Sequence, residues 1–377
     1  MRTIPVGLLT VVAPALLAAQ SPDARRLDST IAGLVRENNV PGLAVGVVRD
    51  GRLVFAKGFG VRRLGERDPI TTRSLFHMAS VTKPFVATAI MQLVERGKVE
   101  LDARVVRYVP YFRVKDTAGA RITIRHLLTH TSGMRDVTDY RWDRPEYDDE
   151  ALERYVRGLA DSTLLWPPGS RFRYSNIAFE VLADVIAKVS GVPFETYVKR
   201  EILTPVGMRT STLMRPEADT SLLTTPHVSG TTGTPTVGKH FPYNRRHAAS
   251  STLLSSVDDM ARWALVNLGR GTIDRTRILN ASSHQVLWAP QYASMGAPFG
   301  GDSVGLSWFV GRYKGRRVAS HAGGDTGYRS FLLLLPDDGV AVIVMTNSEQ
   351  TRVVTPIVDR ALSFALDQST PTREPRR

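Results

Sequence analysis

Apolar positions along this chain fall into three regimes. From Pro22 to Asn38 they recur at helical spacing, with Leu27, Ile31, Leu34 and Val35 on one stripe of an amphipathic helix. The run Leu43-Ala44-Val45-Gly46-Val47-Val48, the pair Asp50-Gly51 and the run Leu53-Val54-Phe55-Ala56 then predict two strands joined by a tight turn, because Asp-Gly accepts the positive φ such turns need. Residues 73–300 carry mostly helical spacing and long loops, with almost no clear strand pairs. Strand patterns return over Leu306 to Tyr313, Arg317 to His321, Tyr328 to Leu335 and Val340 to Met345, the last two separated by the turn Asp337-Asp338-Gly339. A closing helix is predicted over Val354 to Leu366, and the polar residues 367–377 read as a disordered tail.

Strands at both ends with helices between them imply one antiparallel sheet assembled from the two termini, an α+β (α/β sandwich) architecture. Terminal helices should cover one face, and a large, mostly helical subdomain, about 73–300, should be inserted against the other. No linker or internal repeat interrupts residues 21–366, so they read as one unit of two subdomains. The cleft between them is the natural place for a site.

Composition narrows the classes. The chain has 377 residues, 42% of them hydrophobic, enough for one large or two closely packed cores. Its formal charge of +13 is mostly arginine spread along the length, with no basic stripe interleaved with aromatics, so a nucleic-acid partner is not expected. An arginine-rich proteome, or a location near anionic envelope polymers, accounts for the charge equally well. Cysteine is absent, which excludes disulfides, thiolate metal sites and cysteine nucleophiles. Residues 1–20 have the form of a secretory signal: Arg2, an apolar run from Val6 to Leu17 broken by Pro14, then the small residues of Leu17-Ala18-Ala19-Gln20 ahead of Ser21-Pro22-Asp23. That run is too short for a comfortable membrane span. An exported protein, periplasmic or extracellular, is expected, with an uncleaved anchor as the alternative.

Three short motifs carry candidate chemistry. Ser80-Val81-Thr82-Lys83 stands where a helix should begin, with Val86, Ala89, Ile90, Leu93 and Val94 marking its buried face. A serine there meets free backbone N–H groups and the positive end of the helix dipole, and a lysine three residues on lies within reach of its hydroxyl. An N-cap serine followed by a solvated lysine gives the same letters. Tyr174-Ser175-Asn176 follows the turn-rich Pro167-Pro168-Gly169 and precedes an apolar helix from Ile177 to Val189, so a phenol and a carboxamide can enter one cleft; a buried tyrosine beside a helix cap is the plainer reading. His321-Ala322-Gly323-Gly324 ends a predicted strand with small residues that let a substrate lie against the backbone, or that simply make a tight hairpin.

Taken in this order, S-x-x-K, Y-x-N and H-x-G resemble the serine β-lactamase-related superfamily of class C β-lactamases, penicillin-binding D-alanyl-D-alanine carboxypeptidases, D-aminopeptidases and family VIII esterases. The resemblance runs from about Ile31 to Leu366. It also takes in Phe76 to Lys83, Ile124 to Gly133 and Ser256 to Trp263. It implies that Ser80 is an acyl-accepting nucleophile, Lys83 its activating partner and Tyr174 the proton shuttle to the leaving group, both tuned downward in pKa by a dry cleft. Which of Lys83 and Tyr174 is the acylation base stays open. Asn176 is implied to position Lys83 and the substrate, and the backbone N–H groups of Ser80 and Gly324 to form the oxyanion hole, where one donor contributes roughly 2.7–4 kcal/mol. His321, Ala322, Gly323 and Gly324 are implied to bind substrate.

The third motif departs from the Lys-Thr-Gly of class C β-lactamases. A histidine is mostly neutral at pH 7, so it should hold a β-lactam carboxylate poorly at that pH and better as pH falls. The implied activity is hydrolysis of small esters or D-amino-acid amides and peptides. A class C-like β-lactamase or D-Ala-D-Ala carboxypeptidase is the alternative, and an idle penicillin-binding scaffold the non-enzymatic one. Expected partners are small substrates, peptidoglycan fragments among them, with no cofactor. His126 and His130 have the spacing of a zinc helix, but Leu127 occupies the place of its general base, so no metal is expected. Thr224 to Gly238 reads as a long loop.

Overall fold

The computed structural model describes residues 21–229, 233–294 and 296–367. The expected signal, residues 1–20, lies outside the described residues, as does the expected tail apart from Asp367. Helix α1 (Pro22–Glu37) starts where Ser21 Oγ accepts the Ala24 N–H at 3.1 Å, and it buries Ala24, Leu27, Ile31 and Val35. Strands β1 (Gly42–Arg49) and β2 (Arg52–Gly60) follow, the turn between them made by Asp50 and Gly51, both at positive φ.

The main sheet has eight strands. The others are β3 (Tyr292–Ala293), β4 (Ser303–Val304), β5 (Phe309–Tyr313), β6 (Arg316–Asp325), β7 (Tyr328–Leu335) and β8 (Val340–Thr346). Their spatial order is β2-β1-β8-β7-β6-β5-β4-β3, every pairing antiparallel. Leu43 sits opposite Thr346, so segments from the two ends of the chain meet inside the sheet as its second and third strands.

Alternation along β8 separates two cores. Val340, Val342 and Val344 face α1 and the closing helix α6 (Val354–Asp367), among Ile31, Ile357 and Leu362. Ala341, Ile343 and Met345 face the helical layer. That layer contains α2 (Lys83–Glu95), α3 (Asn176–Ser190), the short α4 (Ala248–Ser251) and α5 (Val257–Leu268).

Three strand limits differ from the sequence pattern. Leu306 to Trp308 leave the sheet because the Ser307 N–H bonds the Leu128 carbonyl at 2.8 Å, and Leu306 and Trp308 bury in the helical core instead. Strand β6 continues past His321 to Asp325, paired residue by residue with β7. Within the expected long loop, His227–Val228 pairs with Thr236–Val237.

Candidate active site

Ser80 lies in a single 3₁₀ turn, Ala79–Thr82, that runs into α2 at Lys83. Ala79, just before it, has φ 46, an unfavourable value for a residue with a Cβ. Several contacts hold the turn there. Met78 donates its N–H to the Leu253 carbonyl at 2.8 Å, while the Met78 carbonyl accepts the Ser330 hydroxyl at 2.6 Å. Thr82 Oγ1 donates to the Ala79 carbonyl at 2.7 Å and accepts the Leu253 N–H at 3.1 Å. Strand β6 presses on the same turn. A Cβ on Gly323 would come within 2.3 Å of the Met78 carbonyl and 2.2 Å of Ser330 Oγ, so only glycine permits this approach.

Lys83 is fully buried, and its Nζ donates to Ser80 Oγ and to the Ser250 carbonyl of α4, each at 2.8 Å. Nζ also lies 5.0 Å from the centre of the Tyr174 ring and 5.5 Å from that of Phe179. Burial lowers the Lys83 pKa to about 7, opposed by the negative charges of Glu180, Asp325 and Asp136. The Tyr174 hydroxyl is buried and completes no hydrogen bond. Burial pushes its phenol up. The expectation that both groups shift downward therefore fails for Tyr174: a dry site disfavours the charged form, which is the cation of a lysine but the anion of a tyrosine.

Two further expectations need correction. The Asn176 carboxamide does not reach Lys83; its Nδ2 donates to Asp136 at 3.1 and 3.2 Å, and its backbone N–H joins the same carboxylate at 2.8 Å. The second acceptor for Lys83 is a main-chain carbonyl. His321 is buried, and its Nδ1 donates to the Ala322 carbonyl at 2.7 Å, which leaves Nε2 as an unpaired acceptor. Burial, helped by the charge of Lys83, holds His321 down at about 3. It stays neutral across the working range and cannot gain the charge expected to help β-lactams as pH falls.

Ser80, Tyr174, His321, Ala322, Gly323 and Gly324 line one open cleft of about 420 Å³, with Phe309 and Phe331 also in its lining. Strand β5 ends at Phe309, opposite Ser320. The stretch of β6 from His321 to Asp325 therefore has a strand on one side only, and its other edge is open beside Ser80.

Reading the sequence missed His130, Asp136, Glu180 and Ser250. His130 Nδ1 accepts the Ser175 N–H at 3.1 Å, and its ring stacks on Tyr174 with centres 4.2 Å apart. Burial first, then the charge of Lys83, keeps it neutral. His126 Nδ1 meanwhile accepts the Thr123 N–H as part of a helix cap, so the two histidines serve separate local ends. Glu180 gave a usable signal, a carboxylate inside the apolar run Ile177–Ile186. Ser250 gave none, because its contribution is backbone.

The profile of the Beta-lactamase family matches residues 27–365. The chain belongs to the Beta-lactamase family. Penicillin-binding protein 4 of Amycolatopsis lactamdurans is 30% identical over 315 residues, 82% of each chain. Esterase EstB of Burkholderia gladioli is 35% identical over 198 residues, about half of either chain at 49% and 50%. Among solved structures, the octameric penicillin-binding protein homologue from Pyrococcus abyssi superposes with a TM-score of 0.80 at 29% identity, over 90% of this chain and 77% of that one. A penicillin-binding protein from Bacillus halodurans shares the fold with a TM-score of 0.72 at 23% identity, over 87% of this chain and 98% of its own. No helix among the described residues of this Beta-lactamase family member is long and apolar enough to cross a membrane.

Proposed function

We propose that this chain is an exported serine hydrolase that forms an acyl-enzyme on Ser80 and hydrolyses small esters or D-amino-acid amides and peptides. The observation that carries the reading is the 2.8 Å contact between Ser80 Oγ and a buried Lys83 whose pKa is pushed down to about 7. Near neutrality a large fraction of that amine is uncharged and can take the Ser80 proton as Oγ attacks the substrate carbonyl. The Ser80 and Gly324 N–H groups receive the oxyanion. Tyr174, held as a neutral phenol, passes a proton to the departing alcohol or amine. Water then attacks the acyl carbon by the same groups in reverse, releasing the acid and restoring Ser80. Because its pKa is pushed up rather than down, Tyr174 suits the relay and leaves Lys83 as the acylation base.

The open edge of β6 offers backbone groups to an extended substrate, and the apolar wall of Phe309 and Phe331 suits a short acyl chain. A neutral His321 supplies no cation for a carboxylate, which favours uncharged acyl esters over β-lactams. D-Ala-D-Ala carboxypeptidase activity is the second reading, compatible with 30% identity to a protein named for binding penicillin.

A panel of p-nitrophenyl esters, nitrocefin and D-Ala-D-Ala peptides decides between them, run on wild type and Ser80→Ala. We expect p-nitrophenyl butyrate to lead in kcat/KM, all turnover to vanish in Ser80→Ala, and one fluorophosphonate adduct on the wild type alone. A lead by nitrocefin or by the peptides would move the substrate class, and labelling that survives Ser80→Ala would remove Ser80 as nucleophile.

A further inference from the structure

Glu180 and His247 form a buried acid–base pair behind the candidate site, with no part in the chemistry above. Glu180 lies on α3 one turn beyond Asn176, and both it and His247 are 0% exposed. Glu180 Oε2 accepts the Ala249 N–H at 3.2 Å, while Oε1 completes no hydrogen bond and stands 3.7 Å from His247 Nδ1. Neither ring nitrogen of His247 completes a hydrogen bond, and the ring is enclosed by Tyr140 and Tyr155, whose centres lie 4.9 and 4.8 Å away. A carboxylate in such a place is costly unless it is hydrogen-bonded, and the bond that Glu180 completes goes to Ala249.

The next residue along from Ala249 is Ser250, whose carbonyl holds Lys83 Nζ at 2.8 Å. Both belong to α4, a helix of only 4 residues, too short to fix its own position. A continuous path therefore runs from the Glu180 carboxylate to the Ala249 N–H, the Ser250 carbonyl, the Lys83 amine and the Ser80 hydroxyl. Glu180 is also first among the negative charges that oppose the effect of burial on Lys83, ahead of Asp325 and Asp136. The other titratable groups facing Lys83 are Tyr174 from the cleft and His130 and His321, all held neutral by burial. Around the pair itself lie the phenols Tyr140 and Tyr155, pushed up by burial, with the Arg246 guanidinium 5.0 Å from the Tyr155 ring centre.

We infer that Glu180 is a positioning residue for Lys83: it anchors α4 so that the Ser250 carbonyl meets the amine, and its negative charge favours the ammonium form of that amine. The inference rests on Ser80 and Lys83 acting as nucleophile and base, as proposed above.

The rate of Ser80 labelling by a fluorophosphonate, followed from pH 5 to 9, reads Lys83 without any need to know the substrate. In the wild type the rate should fall on the acid side as Lys83 protonates. Glu180→Gln keeps an acceptor for Ala249 and removes the charge, so its acid limb should move to lower pH by roughly half a unit to one unit, with the plateau rate kept within a few-fold. Glu180→Ala removes the anchor as well and should drop the plateau at least ~10-fold. Glu180→Asp keeps the charge but shortens the reach, so it should leave the limb in place and lower the plateau. An acid limb unmoved in a folded Glu180→Gln overturns the electrostatic half, and an unchanged plateau in Glu180→Ala overturns the anchoring half. If Glu180→Gln does not fold, Glu180→Asp decides, because a limb and plateau both like wild type reject the inference. Absence of labelling in the wild type would instead reject Ser80 as nucleophile, a different failure with a different signature.

Discussion

Lys83 and Tyr174 sit in the same dry cleft beside Ser80, yet burial drives the amine toward neutrality at about pH 7 and drives the phenol away from ionisation. In the function proposed above, that opposition suits the amine to the base and the phenol to the relay. If Lys83 is the base, its ammonium form is inactive, so kcat/KM should fall by about tenfold for each pH unit below the Lys83 pKa. Lys83→Ala and Tyr174→Phe should each lower turnover at least ~10²-fold, but Tyr174→Phe should leave the acid limb where it is. The pair should lose less than the product of the single losses, because the two act on one proton path. A limb that disappears in Tyr174→Phe would give the phenol the role assigned here to the amine. The identities of these side chains were readable in S-x-x-K and Y-x-N, but their ionisation was not. A sequence states which groups can titrate, whereas the direction of a shift depends on what surrounds each group in space. The same limit explains Asn176: the motif placed it in the cleft, but its carboxamide is taken by Asp136, 40 positions away in the chain.

Strand β6 and the Ala79–Thr82 turn act as one element, held together where Gly323 rests on Met78. Gly323→Ala should force the strand off the turn, and with it the Gly324 N–H away from Ser80. Activity should drop at least ~10²-fold, the scale of losing one oxyanion donor. Thermal unfolding should shift far less, since the misfit lies at the open end of the strand; a fully active Gly323→Ala would mean that the contact is not needed. The sequence carried the hairpin of β1 and β2, the strands β6 to β8 and both terminal helices, because each shows a clear period and a turn signal. It did not carry the end of β5. Leu306 to Trp308 have strand character, and tertiary hydrogen bonds from Ser307 to Leu128 and from Leu306 to Leu287 withdraw them. That withdrawal leaves the edge of β6 open beside Ser80, so the feature that makes the cleft was hidden from any local pattern. The short strands β3 and β4 escaped for a related reason, since two residues are too few to display a period.

For the molecule as a whole, the buried bases set how stability responds to acid. His284 and His321 are held down at about 4 and 3, and His130 also lies well below its ordinary value, all mainly through burial. Between pH 6.5 and those values the unfolded chain binds protons that the folded chain refuses, so stability should fall steadily as pH drops. Asp184 works the other way, because burial raises it to about 6 and it takes up a proton on folding in the range below that. His126 and His227 are lowered by burial as well, and Asp258 is raised like Asp184, so five histidines stand against two carboxyls and predict a net loss, seen as a falling Tm between pH 6.5 and 4 and flattened in part by His284→Asn. A Tm that rises over that range would show that the histidines charge without penalty. The way the sheet closes has a consequence of another kind. Gly42 and Thr346, bonded to each other where β1 meets β8, stand 304 positions apart in the chain. During synthesis the hairpin of β1 and β2 must therefore wait, without its neighbour, until β8 has emerged. Such non-local pairing makes folding slow and largely all-or-none. A chain released before β8 is made leaves β1 with β2 alone beside it.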